Sequence, residues 1–224
     1  MRKYWVIILL FGAVQGYAQT SRIGLLPELI VSKKINSQWQ VTGQVESMNQ
    51  FFQKTDLSDL VSEYDYRRTD FTLVGTYRLN PSVKLSGGLL NRFAKGEHIL
   101  RSLQQISITT RGGSLRLGHR IRTDQTYEDE ATIHRIRYRI SKELPLKGND
   151  LNEREWYLKS SLEHLTVIQS NDVTMEQRIN IAFGNLIKEG QRLEIGWDYR
   201  TRTLIDWNDP FQLWMMVNYY ITLK

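Results

Sequence analysis

Apolar and polar residues alternate with a period of two along most of the chain, most clearly from Met175 to Lys224. Over 175–183, Ile179, Ile181 and Phe183 fall on one face, with Arg178, Asn180 and Ala182 on the other. After a turn at Lys188–Gln191, Leu193, Ile195, Trp197 and Tyr199 oppose Glu194, Gly196, Asp198 and Arg200. That period is the mark of a strand whose two faces meet different surroundings. The last strand, Phe211 to Leu223, carries the longest such run, from Phe211 through Leu213, Met215, Val217, Tyr219 and Ile221 to Leu223. Large apolar residues alternate with Arg, Glu and Asp strand after strand. This predicts a barrel with an apolar outer face and a polar interior, as in a transmembrane β-barrel.

The same reading places further strands at 22–34, 38–52, 67–79, 83–93, 101–111, 114–123, 132–143 and 154–165. Most have about 10 to 13 residues, enough for a tilted strand to cross the hydrocarbon. Pro27 interrupts the first and marks an edge, a bend or a strand start, because proline cannot donate to a ladder. Turns are expected at Ile35–Gln38, Asn80–Ser82 and Gly112–Gly113. Longer loops are expected at 53–66, 94–100, 124–131, 166–172 and 203–210. This alternation of short and long connections is the asymmetry of transmembrane barrels, with the long loops outside. The candidate strands number eleven, whereas bacterial single-chain barrels have even numbers. Ten follows if the Pro27 segment is not a full wall strand, and twelve if one strand is hidden. Aromatics near strand ends, among them Trp39, Phe51, Tyr77, Phe93, Trp156, Tyr199, Phe211 and Tyr219, suggest girdles at two interfaces.

The N-terminus changes the picture most. Met1–Lys3 is a basic n-region, Tyr4–Val14 an apolar h-region, and Gly16-Tyr17-Ala18 places small residues before Gln19. These are the parts of a signal peptide, residues 1–18, cleaved to leave a barrel of residues 19–224. The apolar run is too short to span a membrane as a helix. The 224 residues contain no cysteine, which excludes a disulfide framework, a thiolate metal site and a lipoprotein anchor. A mean hydropathy of −0.43 does not oppose a barrel, since half of every wall strand is polar. The formal charge of +6 comes without a basic block or a nucleic-acid motif, so no nucleic-acid partner is expected.

Several stretches together resemble a known family: His134–Ile140, Pro145–Gly148 followed by Glu155–Leu158 and Ser160–Glu163, and Gln177–Arg178 through Leu193–Tyr199. They resemble the outer-membrane barrel family catalogued as domain of unknown function 2490, most closely over residues 120–202. The resemblance implies an outer-membrane barrel without an assigned activity and supplies no catalytic residues.

The sharpest chemical feature is arginine. Arg116, Arg120 and Arg122 share the polar face of one expected strand, and Arg135, Arg137 and Arg139 that of the next. With Arg178 they would line the lumen as a basic ladder, neutralised by Glu163, Glu194, Asp198 and Glu46, since charges in a narrow interior are expected to be paired. The result is either a salt-bridged plug or a narrow, anion-attracting constriction. No enzyme activity is expected: neither a Gly-x-Ser-x-Gly elbow nor a His-Glu-x-x-His motif occurs. His119 lies on the apolar face, but Ser107, the nucleophile it would need, has the opposite parity. His134 and His164 are expected at interfaces or loop edges. The acidic runs Asp56, Asp59, Glu63, Asp65 and Asp124, Glu128, Asp129, Glu130 do not match a calcium loop and are expected as solvated loops. No cofactor and no metal are expected. The expected partners are outer-membrane lipids and the outer-membrane assembly machinery, with the chain as a monomer. Two other functions fit less of the pattern: a soluble periplasmic barrel carrying a lipid or apolar ligand, and an outer-membrane lipid-modifying hydrolase.

Overall fold

The computed structural model describes residues 21–54, 60–112, 115–127, 132–170, 172–202 and 210–223. The expected signal peptide and its cleavage site lie outside the described residues, as do Asp56, Asp59, Gly113, Glu128, Asp129, Glu130 and most of the loop at 203–210. Eleven strands form one closed barrel. They are β1 (Ser21–Lys34), β2 (Trp39–Lys54), β3 (Leu60–Arg78), β4 (Val83–Ala94), β5 (Glu97–Gly112), β6 (Leu115–Tyr127), β7 (Thr132–Pro145), β8 (Trp156–Gln169), β9 (Asp172–Lys188), β10 (Gln191–Thr201) and β11 (Gln212–Leu223). Consecutive strands pair antiparallel, and β1 closes on β11 in parallel, from Arg22 opposite Gln212 to Lys33 opposite Leu223.

Both alternatives for the strand count are therefore corrected. The Pro27 segment is a full wall strand, and no twelfth strand is needed. An odd number of alternating strands leaves the first and last running the same way, so their seam is parallel. The fold departs from a purely antiparallel up-and-down barrel there alone. Pro27 sits in that seam opposite Val217. On its other side the β1·β2 register passes from Leu25 opposite Asn49 to Glu28 opposite Glu46, leaving Leu26 and Pro27 without ladder partners. The register is the same on both sides of this gap, so the missing proline N–H interrupts the β1·β2 ladder locally without shifting it.

The loops are shorter than the alternation suggests. Much of 53–66 continues β2 and β3, paired as far as Lys54 opposite Leu60. Residues 97–100 belong to β5, and 166–169 to β8. In each case the alternation breaks, at polar residues in 53–66 and at adjacent apolar pairs in Ile99-Leu100 and Val167-Ile168, but the backbone pairing goes on. The β4–β5 hairpin turns on Lys95 (φ 44°) and Gly96 (φ 90°); two positive φ values match the right-handed twist of the flanking strands. At the opposite rim Asn36 Oδ1 accepts from the Gln38 and Trp39 backbone N–H groups at 2.9 and 2.7 Å. Asn80 Oδ1 accepts from Ser82 and Val83 at 2.9 and 2.8 Å. Both expected asparagine turns are thus fixed by the side chain itself.

The outer face is apolar around the whole wall. Val41, Leu73, Leu89, Ile121, Ile136, Leu162, Phe183, Ile195 and Trp197 are all exposed on it, Leu73 to 61 % and Trp197 to 48 %. Aromatics gather at both rims. Trp39 packs on Tyr77 with centroids 5.0 Å apart at the rim that carries the asparagine turns. Phe71 meets Phe93 at 5.8 Å, and Tyr199 meets Phe211 at 5.7 Å, toward the other rim.

The inside is not uniformly polar. Leu26, Met48, Ala182, Trp214 and Met216 form a buried apolar cluster on the inner face of β9, β11, β1 and β2. Trp214 is 1 % exposed and Tyr157 is fully buried. Tyr157 lies opposite Gly184 across β8·β9, and its ring occupies the space a Cβ at Gly184 would need. Gly184→Val is expected to cost about 1–3 kcal/mol through overpacking, read as a lower urea midpoint of the folded barrel. Adding Tyr157→Ala should recover part of the loss, and an equally stable single variant would contradict this packing.

Candidate functional site: a basic chamber inside the barrel

Period-two alternation delivers the charges to the interior. Arg120 on β6 lies opposite Arg139 on β7, and Arg122 opposite Arg137. Like charges directly across a ladder repel, so this arrangement stands only if carboxylates reach between them. Two do. Glu163 on β8, fully buried, accepts from Arg120 at 2.9 Å and Arg139 at 2.8 Å, and Arg178 on β9 lies 3.6 Å from its other oxygen. The register explains the cluster, since Arg139, Glu163 and Arg178 are direct cross-strand neighbours. Asp124 takes Arg122 at 2.7 Å, with Arg137 at 3.1 Å. Asp124 was expected in an outer loop. It belongs to β6 and points inward, and its parity with Arg120 and Arg122 was the available signal.

The remaining expected residues divide by level. Glu194 is held by Lys159 at 2.9 Å to each oxygen and by the Tyr157 and Tyr220 hydroxyls at 2.8 and 3.0 Å. Asp198 pairs twice with Arg200, at 3.1 and 2.9 Å. Arg135 donates to the Thr126 hydroxyl at 2.6 Å. Arg116 stands apart toward the rim with the asparagine turns, 3.5 Å from Glu143, which Arg192 also approaches at 3.4 Å.

The sequence reading missed a second group on β3, β4 and β5. Asp70 accepts two bonds from Arg92, at 2.7 and 2.6 Å, and lies 3.3 Å from Arg68, which also pairs with Glu46 at 2.9 Å. Arg101 on β5 is 5 % exposed and has no carboxylate in ion-pair range among the described residues. Between these groups lies a cavity of about 520 Å³ whose lining includes eleven basic side chains and five carboxylates. Asp124, Glu163 and Glu176 add their charge from behind the guanidiniums, and cations still outnumber anions. The chamber is therefore basic on β3–β8, and its opposite wall mixes the apolar Leu26, Ala182 and Met216 with Glu28, Glu194 and Asp198.

The histidines do not join this site. His119 faces outward and shares a 2.8 Å hydrogen bond with the Tyr138 hydroxyl, while Ser107 points inward. His164 lies on the outer face of a wall strand, not at a loop edge. Its Nδ1 meets the Gln177 amide nitrogen and its Nε2 the Thr166 hydroxyl at 3.0 Å.

No curated protein and no solved structure matches the chain. One family model matches residues 24–209, which is β1 through β10 and hence nearly the whole wall of the chamber. The chain belongs to that family, described as protein of unknown function DUF2490.

Proposed function

We propose that this protein is an outer-membrane β-barrel whose role is that of a narrow, anion-preferring barrel and not of a catalyst. The observation that carries the reading is the inversion of the usual soluble pattern. Ile195 and Trp197, exposed to 43 % and 48 %, point outward from the same strand that sends buried Glu194 and Asp198 inward. In water, a continuous apolar belt of this extent is a liability; in lipid it is the required surface. The aromatic pairs at the two rims supply the interfacial anchors. Closure by β1 and β11 removes the open edge that hydrocarbon would not tolerate. The expected partners are outer-membrane lipids around the belt and the assembly machinery during insertion, with no nucleic acid.

A soluble periplasmic carrier would need the apolar faces to line its cavity, and this cavity is lined largely by charged and polar side chains. Cysteine labels at Leu193, Ile195 and Trp197 separate the two readings. Reaction with lipid-soluble probes in membranes is expected, whereas recovery of a soluble periplasmic protein with those sites shielded would overturn the membrane assignment. For the interior, barrels of about 8 strands are filled by side chains and open channels appear nearer 16. Eleven strands around a partly filled lumen should pass small anions at low conductance. Planar-bilayer recording should show a small chloride-preferring conductance whose preference falls in Arg137→Glu. Electrically silent bilayers would leave a closed scaffold in its place, and lipid hydrolysis by the pure protein would overturn both.

A further inference from the structure

We propose that the chamber holds a specific site for a phosphate-class oxyanion, with Arg101 as its central ligand. The site is defined by charge that the protein itself does not neutralise. Every other arginine quoted above from the chamber wall has a named partner: Glu163, Asp124, Asp70, Asp198 or the Thr126 hydroxyl. Arg101 has none of these, and its Nε is buried without a hydrogen-bond partner. Asp70, a carboxylate that acts on it electrostatically, is already engaged by Arg92 through two hydrogen bonds and by Arg68. A buried, unpaired guanidinium is among the costliest arrangements in a protein interior, and here it faces a cavity with room for a ligand.

The surroundings select the ligand. Arg101 lies opposite Leu90 on β4 and Thr126 on β6, between Arg92, two residues along β4, and Arg135, which is bonded to Thr126. Arg68, Arg92 and Arg135 are all near enough to act on Arg101 electrostatically. The Arg101 guanidinium lines the cavity with its planar fork of N–H donors uncommitted, the engaged guanidiniums of Arg68, Arg92 and Arg135 add positive charge around it, and an oxyanion accepts such a fork two bonds at a time. A monatomic chloride takes the charge but not the paired bonds. A dianion with several acceptor oxygens uses both, so phosphate should be preferred over chloride. The site rests on the interior alone and holds whether the outer face meets lipid or water, so its failure and that of the membrane assignment are separable.

The test is titration of the folded, detergent-solubilised full-length barrel with inorganic phosphate, followed by calorimetry and by the unfolding midpoint at constant ionic strength set with sodium chloride. Saturable binding and a rise in midpoint with phosphate are expected. Arg101→Gln should weaken binding about tenfold or more, the loss expected for one charge-assisted bonded pair. The same variant should unfold at a higher midpoint than the parent in phosphate-free buffer, because it removes an unpaired buried charge. A residue of purely structural importance would lower it. Arg78→Gln, at the opposite rim, should bind phosphate as the parent does. Phosphate affinity unchanged in Arg101→Gln, or a response to phosphate no different from that to chloride, overturns the proposal.

Discussion

Removal of Tyr219–Lys224 is expected to abolish assembly, leaving an aggregated or degraded precursor and no heat-modifiable barrel. β11 is the strand on which closure depends. Its last five described residues, Tyr219 to Leu223, pair with Leu29 to Lys33 of β1, and Tyr219 to Ile221 also pair with Leu193 to Gln191 of β10. Their loss would strip two ladders at once and open a gap at one rim. Backbone groups left unpaired in hydrocarbon cost several kcal/mol each, so the loss far exceeds a typical stability margin of about 5–15 kcal/mol. Deletion would also harm a soluble barrel, and a point variant separates the cases. Tyr219 lies on the outer face between Leu29 and Leu193, with its hydroxyl donating to Gln191 Oε1 at 3.1 Å. Tyr219→Asp places a carboxylate in that belt while leaving every backbone pair available. In cells it should block insertion, and normal heat-modifiable, membrane-embedded protein would contradict the assignment of this face to lipid.

Alternation located all eleven strands, most of them to within a few residues although β3 starts at Leu60 and not at 67, and left open whether the Pro27 segment is a full wall strand, because parity survives in sequence wherever one face is apolar. What failed has a common physical cause. Beyond the apolar belt the outward residues need not be apolar, so the pairing of Lys54 with Leu60 and the strand character of 97–100 leave no periodic trace. The parallel seam was hidden because parity says which face a residue takes and nothing of its neighbour across the closure. Inside, the arginine ladder of β6 and β7 was legible from spacing alone. Its counter-charges were only half legible, since Glu163 stands alone on β8 while Asp124 sits at the edge of an acidic run that resembles a loop. Arg101 could not be singled out at all. Its distinction is the lack of a partner, and that emerges only when Asp70 is seen to be committed to Arg92 and Arg68. The inner apolar cluster of Met48, Trp214 and Met216 was likewise hidden, because over Leu213–Val217 both faces of β11 carry large apolar residues and parity gives no contrast.

The second large effect is expected at Glu163. Two guanidiniums depend on this one carboxylate, Arg120 at 2.9 Å and Arg139 at 2.8 Å, while Arg178, itself bonded to Glu176, approaches it at 3.6 Å; none of them can shed its proton to escape. Removing one member of a buried ion pair typically costs about 3–5 kcal/mol, because the other charge is left uncompensated. Glu163→Ala should therefore destabilise the barrel by at least that much, measured by urea unfolding in detergent micelles or lipid bilayers. Glu163→Gln keeps the shape and one acceptor oxygen but removes the charge, so it should lose most of the same stability. A steric account would predict near-neutrality for Gln. The diagnostic is the double variant. Arg139→Met removes the cation opposite Glu163 in the β7·β8 register and supplies a flexible apolar side chain of similar length. Combined with Glu163→Gln it should cost clearly less than the sum of the two single changes, with a coupling of about 0.5–3 kcal/mol. Additive costs would mean that Glu163 is not the counter-ion on which the facing arginines of β6 and β7 depend. The close approach of Arg120 to Arg139 would then need another source of stability.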